Sequence, residues 1–316
     1  MKKYLPPSVL FFLVPVALYS SNIVIGTGSE GGVYYPTGNN ICAMLPKASD
    51  INCSAKVSKG SVYNIEHIKS GEFQFGIAQS DAIFTAYNGL GNFKDKPYKQ
   101  LRTVISIYPE LLTLVVNKSA DIQKIHDIKG KIINIGNKGS GQRSTVELLF
   151  SLATPLSSDI LEEAKELTAK ESPQALKDGN ISGYFYVTGH PSSNIKEAAE
   201  GIDIDLVRIS PQTCLAVKTL LIRYPFYSNG IIPANTYKGV DKDIQTFGVK
   251  ATLVTDASTD GKIVEEIIKS IVENLEKFKA MHPAYKTITK ESFIEGLGAP
   301  FHPAAMEYYR EIGILK

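Results

Sequence analysis

The stretch N-I-V-I-G-T-G-S-E-G-G-V-Y-Y-P-T-G, from Asn22 to Gly38, decides how this chain is read. A short β-branched run (Ile23, Val24, Ile25) feeds a loop with glycines at 26, 28, 31 and 32, then aromatic residues and the first turn of a helix. Such a turn exposes backbone N–H groups at the helix start, and these suit an anion. The spacing Gly26-x-Gly28-x-x-Gly31 also matches a dinucleotide fingerprint, which needs an acidic residue roughly 20 positions further on to hold the ribose hydroxyls. The next apolar run, Cys53 to Val57, ends instead in Ser58-Lys59-Gly60-Ser61, with no carboxylate. A small anionic solute is therefore favoured over a dinucleotide, and no cofactor is expected.

The chain has 316 residues, 43% of them hydrophobic, enough for two domains each with a full core. Its formal net charge is +2, and Lys2 and Lys3 account for two of the positive charges. A nearly neutral mature chain argues against nucleic acid, which demands a clustered basic face. Lys94, Lys96 and Lys99 are interrupted by Asp95 and Pro97 and read as a solvated loop. Residues 1–21 have the grammar of a cleaved export signal: two lysines, the apolar run Leu10 to Leu18, then Ser20 and Ser21. That run is short for a membrane span and carries Pro15. With no cysteine near the cut, a lipid anchor is not expected, and the mature protein is expected to be exported from the cytoplasm. In an oxidising compartment Cys42 and Cys53 can pair, since a helix holding the first would neighbour a strand starting at the second. Cys214 is left as a buried thiol. No Cys-x-x-Cys or His-x-x-x-His pair supports a metal site.

Strands and helices alternate, the signature of an α/β fold with mostly parallel sheet. Helices are expected over 38–45, 61–70 and 80–87, and strands over 53–57, 73–78 and 101–107. The apolar run Leu111 to Val116 reads as a segment that crosses between lobes. After Asn117 the grammar repeats: a short helix near Ile125 to Ile128, a strand Lys131 to Ile135, the loop Gly136-Asn137-Lys138-Gly139-Ser140-Gly141, and a helix Gln142 to Phe150. Strand Gly183 to Val187, helix Asn194 to Glu200, strand Ile204 to Ile209, return strand Gly248 to Val254 and one long amphipathic helix Ile263 to Phe278 complete the reading.

Seven blocks resemble the TAXI family of solute receptors, which serve tripartite ATP-independent periplasmic (TRAP) transporters. They are G-T-G-S-E-G-G-V-Y-Y-P-T-G, S-K-G-S-V-Y-N-I, G-I-A-Q-S-D-A, I-Y-P-E, I-K-G-K-I-I-N-I-G-N-K-G-S-G, Y-F-Y-V-T-G-H-P and F-G-V-K-A-T-L-V, in the family's order. The resemblance implies a type II bilobed periplasmic binding protein, with two α/β lobes joined by two hinge strands, here Leu111 to Val116 and Gly248 to Val254. One lobe would comprise residues 22–116 plus 247–316 and the other 117–246. It also implies a solute such as glutamate or a related amino acid or dicarboxylate, delivered to an ion-driven TRAP permease. Where the family often has Thr-Glu or Thr-Arg after the second G-S-G, this chain has Gln142-Arg143.

Candidate ligand contacts follow from where loops and helix starts gather. The first loop offers Gly28 and Ser29 as donors, with Tyr34 and Tyr35 as walls. Ser58, Gly60 and Ser61 sit where a helix start leaves free N–H groups, although Ser61 reads equally as a helix cap. Gln79 and Ser80 end a strand, and Asp81 beside them suits capping rather than an anion. Gly139, Ser140, Gln142 and Arg143 face them from the second lobe, with Arg143 as the fixed positive charge or, alternatively, the partner of Glu147 one turn on. Tyr184 and Tyr186 share a face near a strand end, by Thr188. Glu110 reads as a brace for the hinge.

Two other classes stay open: an exported enzyme and a surface adhesin or immunogenic protein. There is no Gly-x-Ser-x-Gly elbow, and His67, His126, His190, His282 and His302 are not set out as general bases. The reading is of a binding protein rather than an enzyme.

Overall fold

The computed structural model describes residues 21–47, 49–153 and 158–316. The expected export leader, residues 1–21, lies outside them apart from Ser21. β1 (Ser21–Gly26) runs through the glycine loop into α1 (Tyr34–Met44), β2 (Ile51–Lys56) into α2 (Ser61–Lys69), and β3 (Phe75–Gln79) directly into α3 (Ser80–Asn88). β1 pairs in parallel with both β2 and β3, so all three helices start at one edge of the sheet. A disulfide joins Cys42 on α1 to Cys53 on β2, with Cα atoms 5.3 Å apart, and Cys214 is a buried free thiol.

β4 (Leu101–Asn117) is one unbroken 17-residue strand through Pro109, where the sequence had suggested a strand and a separate crossing run. Beyond it come β5 (Ile132–Asn134), α4 (Gly141–Leu152), β6 (Glu163–Lys165), α5 (Ser172–Lys177), β7 (Gly183–Thr188), α6 (Ser193–Gly201) and β8 (Ile204–Val207). The chain continues through α7 (Leu215–Arg223), β9 (Ser228–Ile232), β10 (Ile244–Asp256), α8 (Gly261–Glu273), α9 (Leu275–Ala280) and α10 (Pro303–Glu311). The long helix expected over Ile263 to Phe278 is two, broken at Asn274, whose side-chain amide donates back to the Ser270 carbonyl at 3.0 Å. On α8 the apolar stripe Val264, Ile267, Ile268 and Ile271 is fully buried.

The strands form one sheet in the order β2-β1-β3-β10-β4-β7-β5-β6, with β8 also on β4 and β9 on β10. β4 and β10 hold it together, pairing antiparallel from Gly248 opposite Leu111 to Asp256 opposite Leu101. Cores differ on either side of their midpoint. Val104, Ile105, Ile107, Tyr108, Ala251 and Leu253 pack with β1, α1, α8 and α10, whereas Leu112, Leu114, Val116, Phe247 and Val249 pack with β5, α4, β7 and α7. The changeover falls at Pro109 and Glu110 on β4 and at Lys250 on β10, which are in register. Proline donates no ladder hydrogen bond. The Lys250 carbonyl opposite, without that donor, faces the Ser80 hydroxyl at 3.4 Å, and the same hydroxyl accepts the Lys250 N–H at 3.0 Å.

Candidate ligand-binding site

A cavity of about 360 Å³ opens between the two packing units, directly over that changeover. Tyr34, the first residue of α1, donates its hydroxyl to Glu110 Oε2 at 2.9 Å and lies 3.4 Å from Ser61 Oγ. Gly28, Ser29, Ser58, Gly60, Ser61 and Gln79 complete this wall. Gly60 occupies the cap position of α2 and Ser61 is its first residue, with Ser61 Oγ accepting the Gln79 backbone N–H at 3.1 Å. Asn64, fully buried, clamps α2 to two strand ends by donating to the carbonyls of Thr27 and Ile77 at 2.6 and 2.8 Å.

The opposite wall holds Ser140, Gly141 and Gln142 at the start of α4, together with Tyr186, Thr188, Asn137 and the 168–170 loop. Ser140 caps α4 by accepting the Arg143 N–H at 3.3 Å, and Gln142 donates to the Phe185 carbonyl at 3.4 Å. Burial pushes the Tyr186 hydroxyl up to about 12. The first turns of α1, α2 and α4 thus converge on one cavity. Each presents N–H groups with no intrahelical acceptor and roughly half a positive charge.

Five sequence candidates stand outside the lining. Arg143 is the main correction: its guanidinium is held by Glu147 at 2.5 Å and Glu166 at 3.0 Å, so it does not offer the cavity its charge. Consequently Arg143→Ala is expected to change solute affinity by less than about threefold, because the charge it removes is already matched by two carboxylates outside the cavity, and titration calorimetry on the variant checks this. Tyr35 follows Tyr34 by about 100° around the helix and faces elsewhere. Ser80 is spent on Lys250. The Gly139 carbonyl accepts the Tyr63 N–H at 3.1 Å outside the cavity. Tyr184 shares the face of Tyr186, as expected, but lies deeper along β7, where its hydroxyl donates to Asn194 Oδ1 at 2.9 Å under α6.

Residues that the sequence reading placed elsewhere or passed over also line the cavity. Glu30 and Lys170 pair at the rim at 3.2 Å, near Lys59. Glu110, read as a brace, forms part of the floor and is only 2% exposed. A lone carboxylate in a buried, mostly apolar strand was the available signal. Burial drives its carboxyl well above the usual carboxylate range, the Tyr34 hydroxyl partly opposes this, and nearby Asp81 adds to it.

Asp81 joins the walls rather than lining them. Its carboxylate accepts from Thr145 on α4 at 2.7 Å, Tyr227 at 2.8 Å, its neighbour's Ala82 N–H at 2.7 Å and Gln79 Nε2 at 3.2 Å. Gln79 Nε2 also meets Thr145 Oγ1 at 3.0 Å. At the far rim the Asn194 N–H and Ser193 hydroxyl donate to the Gly31 carbonyl at 3.1 and 2.9 Å. The two units are therefore closed on each other across the cavity. Among the described residues no cluster of three or more metal-ligating side chains occurs, and no helix is long and apolar enough to cross a membrane.

A family model described as the NMT1-like family matches residues 25–313. The structure is similar to a histidine-bound substrate-binding protein of an ABC uptake transporter from Streptococcus pneumoniae, with TM-score 0.53 and 15% identity over 84% of this chain and 92% of that one. It is similar to a protein from Bordetella bronchiseptica RB50, with TM-score 0.54 and 12% identity over 92% and 98%. A protein described as a periplasmic transporter matches with TM-score 0.52 and 14% identity over 93% of each chain. At such identities the likeness carries the fold, the two-lobed α/β architecture of type II solute-binding proteins, and not the ligand.

Proposed function

The chain belongs to the NMT1-like family, and from that premise we propose that it is an extracytoplasmic receptor that closes two lobes over a small anionic solute and hands it to a membrane permease. One observation carries the reading: a cavity of about 360 Å³ takes its walls from both packing units and collects the starts of three helices, two from one unit and one from the other. Solute contacts made by both walls exist only when the cleft is shut, so binding shifts the molecule towards the closed form. The lobes divide at the pivot where Pro109 and Glu110 face Val249 and Lys250, a few residues before the 116/117 boundary and after the 246/247 boundary expected from the sequence, because Leu112, Leu114, Val116, Phe247 and Val249 pack in the second core. The seven sequence blocks support the finer reading of a periplasmic, TAXI-type receptor for a TRAP permease. Three helix starts acting together support a carboxylate-bearing solute of the glutamate class. The site binds and releases without chemistry.

A thermal-shift screen of protein unfolded and refolded free of ligand, against amino acids and mono- and dicarboxylates, tests this. A true solute at 100 times its Kd adds about 2.7 kcal/mol of stability, an easily seen shift. No shift with any member of the panel, or turnover of one, overturns the receptor reading.

A further inference from the structure

We propose that Glu110 recognises the ammonium group of the solute, so that the receptor selects amino acids over carboxylates of the same skeleton. The inference rests on the receptor reading above and deepens it by naming the solute class.

Glu110 sits at the pivot, on the cavity floor, opposite Val249. One of its oxygens takes the Tyr34 hydroxyl, and among the described residues no protein donor meets the other. The groups facing it are Tyr34 from α1, Ser61 from α2, Asp81 from α3, Tyr108 on its own strand and Tyr186 from β7, none of them a cation. Lys250, next in register, turns its ammonium to Glu295 at 3.1 Å. A buried carboxyl with one neutral partner is costly in its ionised form, and the fold keeps it at the pivot between the lobes. The cavity therefore has two poles. Helix starts present positive ends on its two walls, and an acceptor waits on its floor. A zwitterion matches both, its carboxylate at the helix starts and its ammonium at Glu110, whereas a dicarboxylate satisfies only the first. Because burial favours the neutral acid in the free protein, pairing with an ammonium moves the Glu110 proton to solvent.

Calorimetry near pH 6 compares L-glutamate with glutarate, and L-glutamine with 5-amino-5-oxopentanoate, in two buffers of different ionisation enthalpy. The amino acid of a pair should bind roughly 100-fold tighter than its deaminated analogue, as expected for a desolvated charge pair. Its apparent enthalpy should change with buffer, reporting proton release. Glu110→Gln, which has the shape of the protonated acid, should keep the thermal midpoint of the ligand-free protein while losing both the tighter binding and the buffer dependence. Equal affinity for amino acid and analogue, or unchanged amino-acid binding by Glu110→Gln, overturns the proposal and leaves the receptor intact. If no member of either pair and none of the other common L-amino acids binds, the receptor reading falls and this proposal with it.

Discussion

Gly141→Ala should reduce solute affinity by roughly 100-fold while leaving the unfolding of the ligand-free protein nearly unchanged. Gly141 opens α4 on one wall and touches the other: a Cβ there would lie 2.4 Å from Gln79 Oε1 and 2.6 Å from Ser61 Oγ. Neither neighbour can retreat cheaply. Gln79 is 3% exposed, with its amide nitrogen shared between Asp81 and Thr145, and Ser61 Oγ holds the Gln79 backbone N–H. Closing over the extra methyl means accepting overlap, at about 1–3 kcal/mol, or breaking hydrogen bonds at about 1 kcal/mol each. With the lobes apart the methyl meets neither group, and alanine suits a first helical turn at least as well as glycine. Calorimetry should show the lost affinity, and small-angle scattering should show a variant that stays extended at solute concentrations that compact the parent. Parent-like affinity would mean that the walls do not close as tightly in solution as they do here.

Gly248→Ala should act on the fold itself, lowering stability by about 3 kcal/mol or more in urea unfolding. Its Cβ would lie 1.9 Å from the Glu110 carbonyl oxygen, 2.8 Å from the Glu110 carbonyl carbon and 2.9 Å from Leu111 Cα. These are backbone atoms of the partner strand, so no side chain can yield. β4 and β10 would have to splay where the sheet passes from one core to the other. A change within about 0.5 kcal/mol, the usual range for a surface substitution, would contradict this close approach.

The strand, glycine loop and helix units at 21–44, 51–69 and 132–152, and the strand that runs straight into a helix at 75–88, were legible in the sequence because their signals are local. β-branched runs mark the strands, glycine and serine mark the turns, and apolar spacing marks the helices. Those units also name most of the cavity wall, since parallel strands put every following helix start at one edge: Gly28, Ser29, Tyr34, Ser58, Gly60, Ser61, Gln79, Ser140 and Gln142 all line it, joined by Tyr186 from β7. Weaker local patterns went unread, among them α7, β9 and α10. α7 buries only Ala216, Val217 and Leu220 and leaves Leu215 and Ile222 exposed, so its apolar pattern fits no single face.

What the chain determined by itself was therefore its α/β grammar and the family of turns that gathers at one sheet edge. Tertiary structure alone decided which charges serve the cavity. Arg143 has a partner four residues away that any helix reveals, but the second, Glu166, comes from the loop after β6 and completes its withdrawal. Glu110 lies in a run whose first half packs in one core and second half in the other, and only the pairing of β4 with β10 turns that boundary into a cavity floor. Propensity and periodicity act over a few residues, whereas burial and charge pairing depend on what the folded chain brings close, and those two set the chemistry of the site.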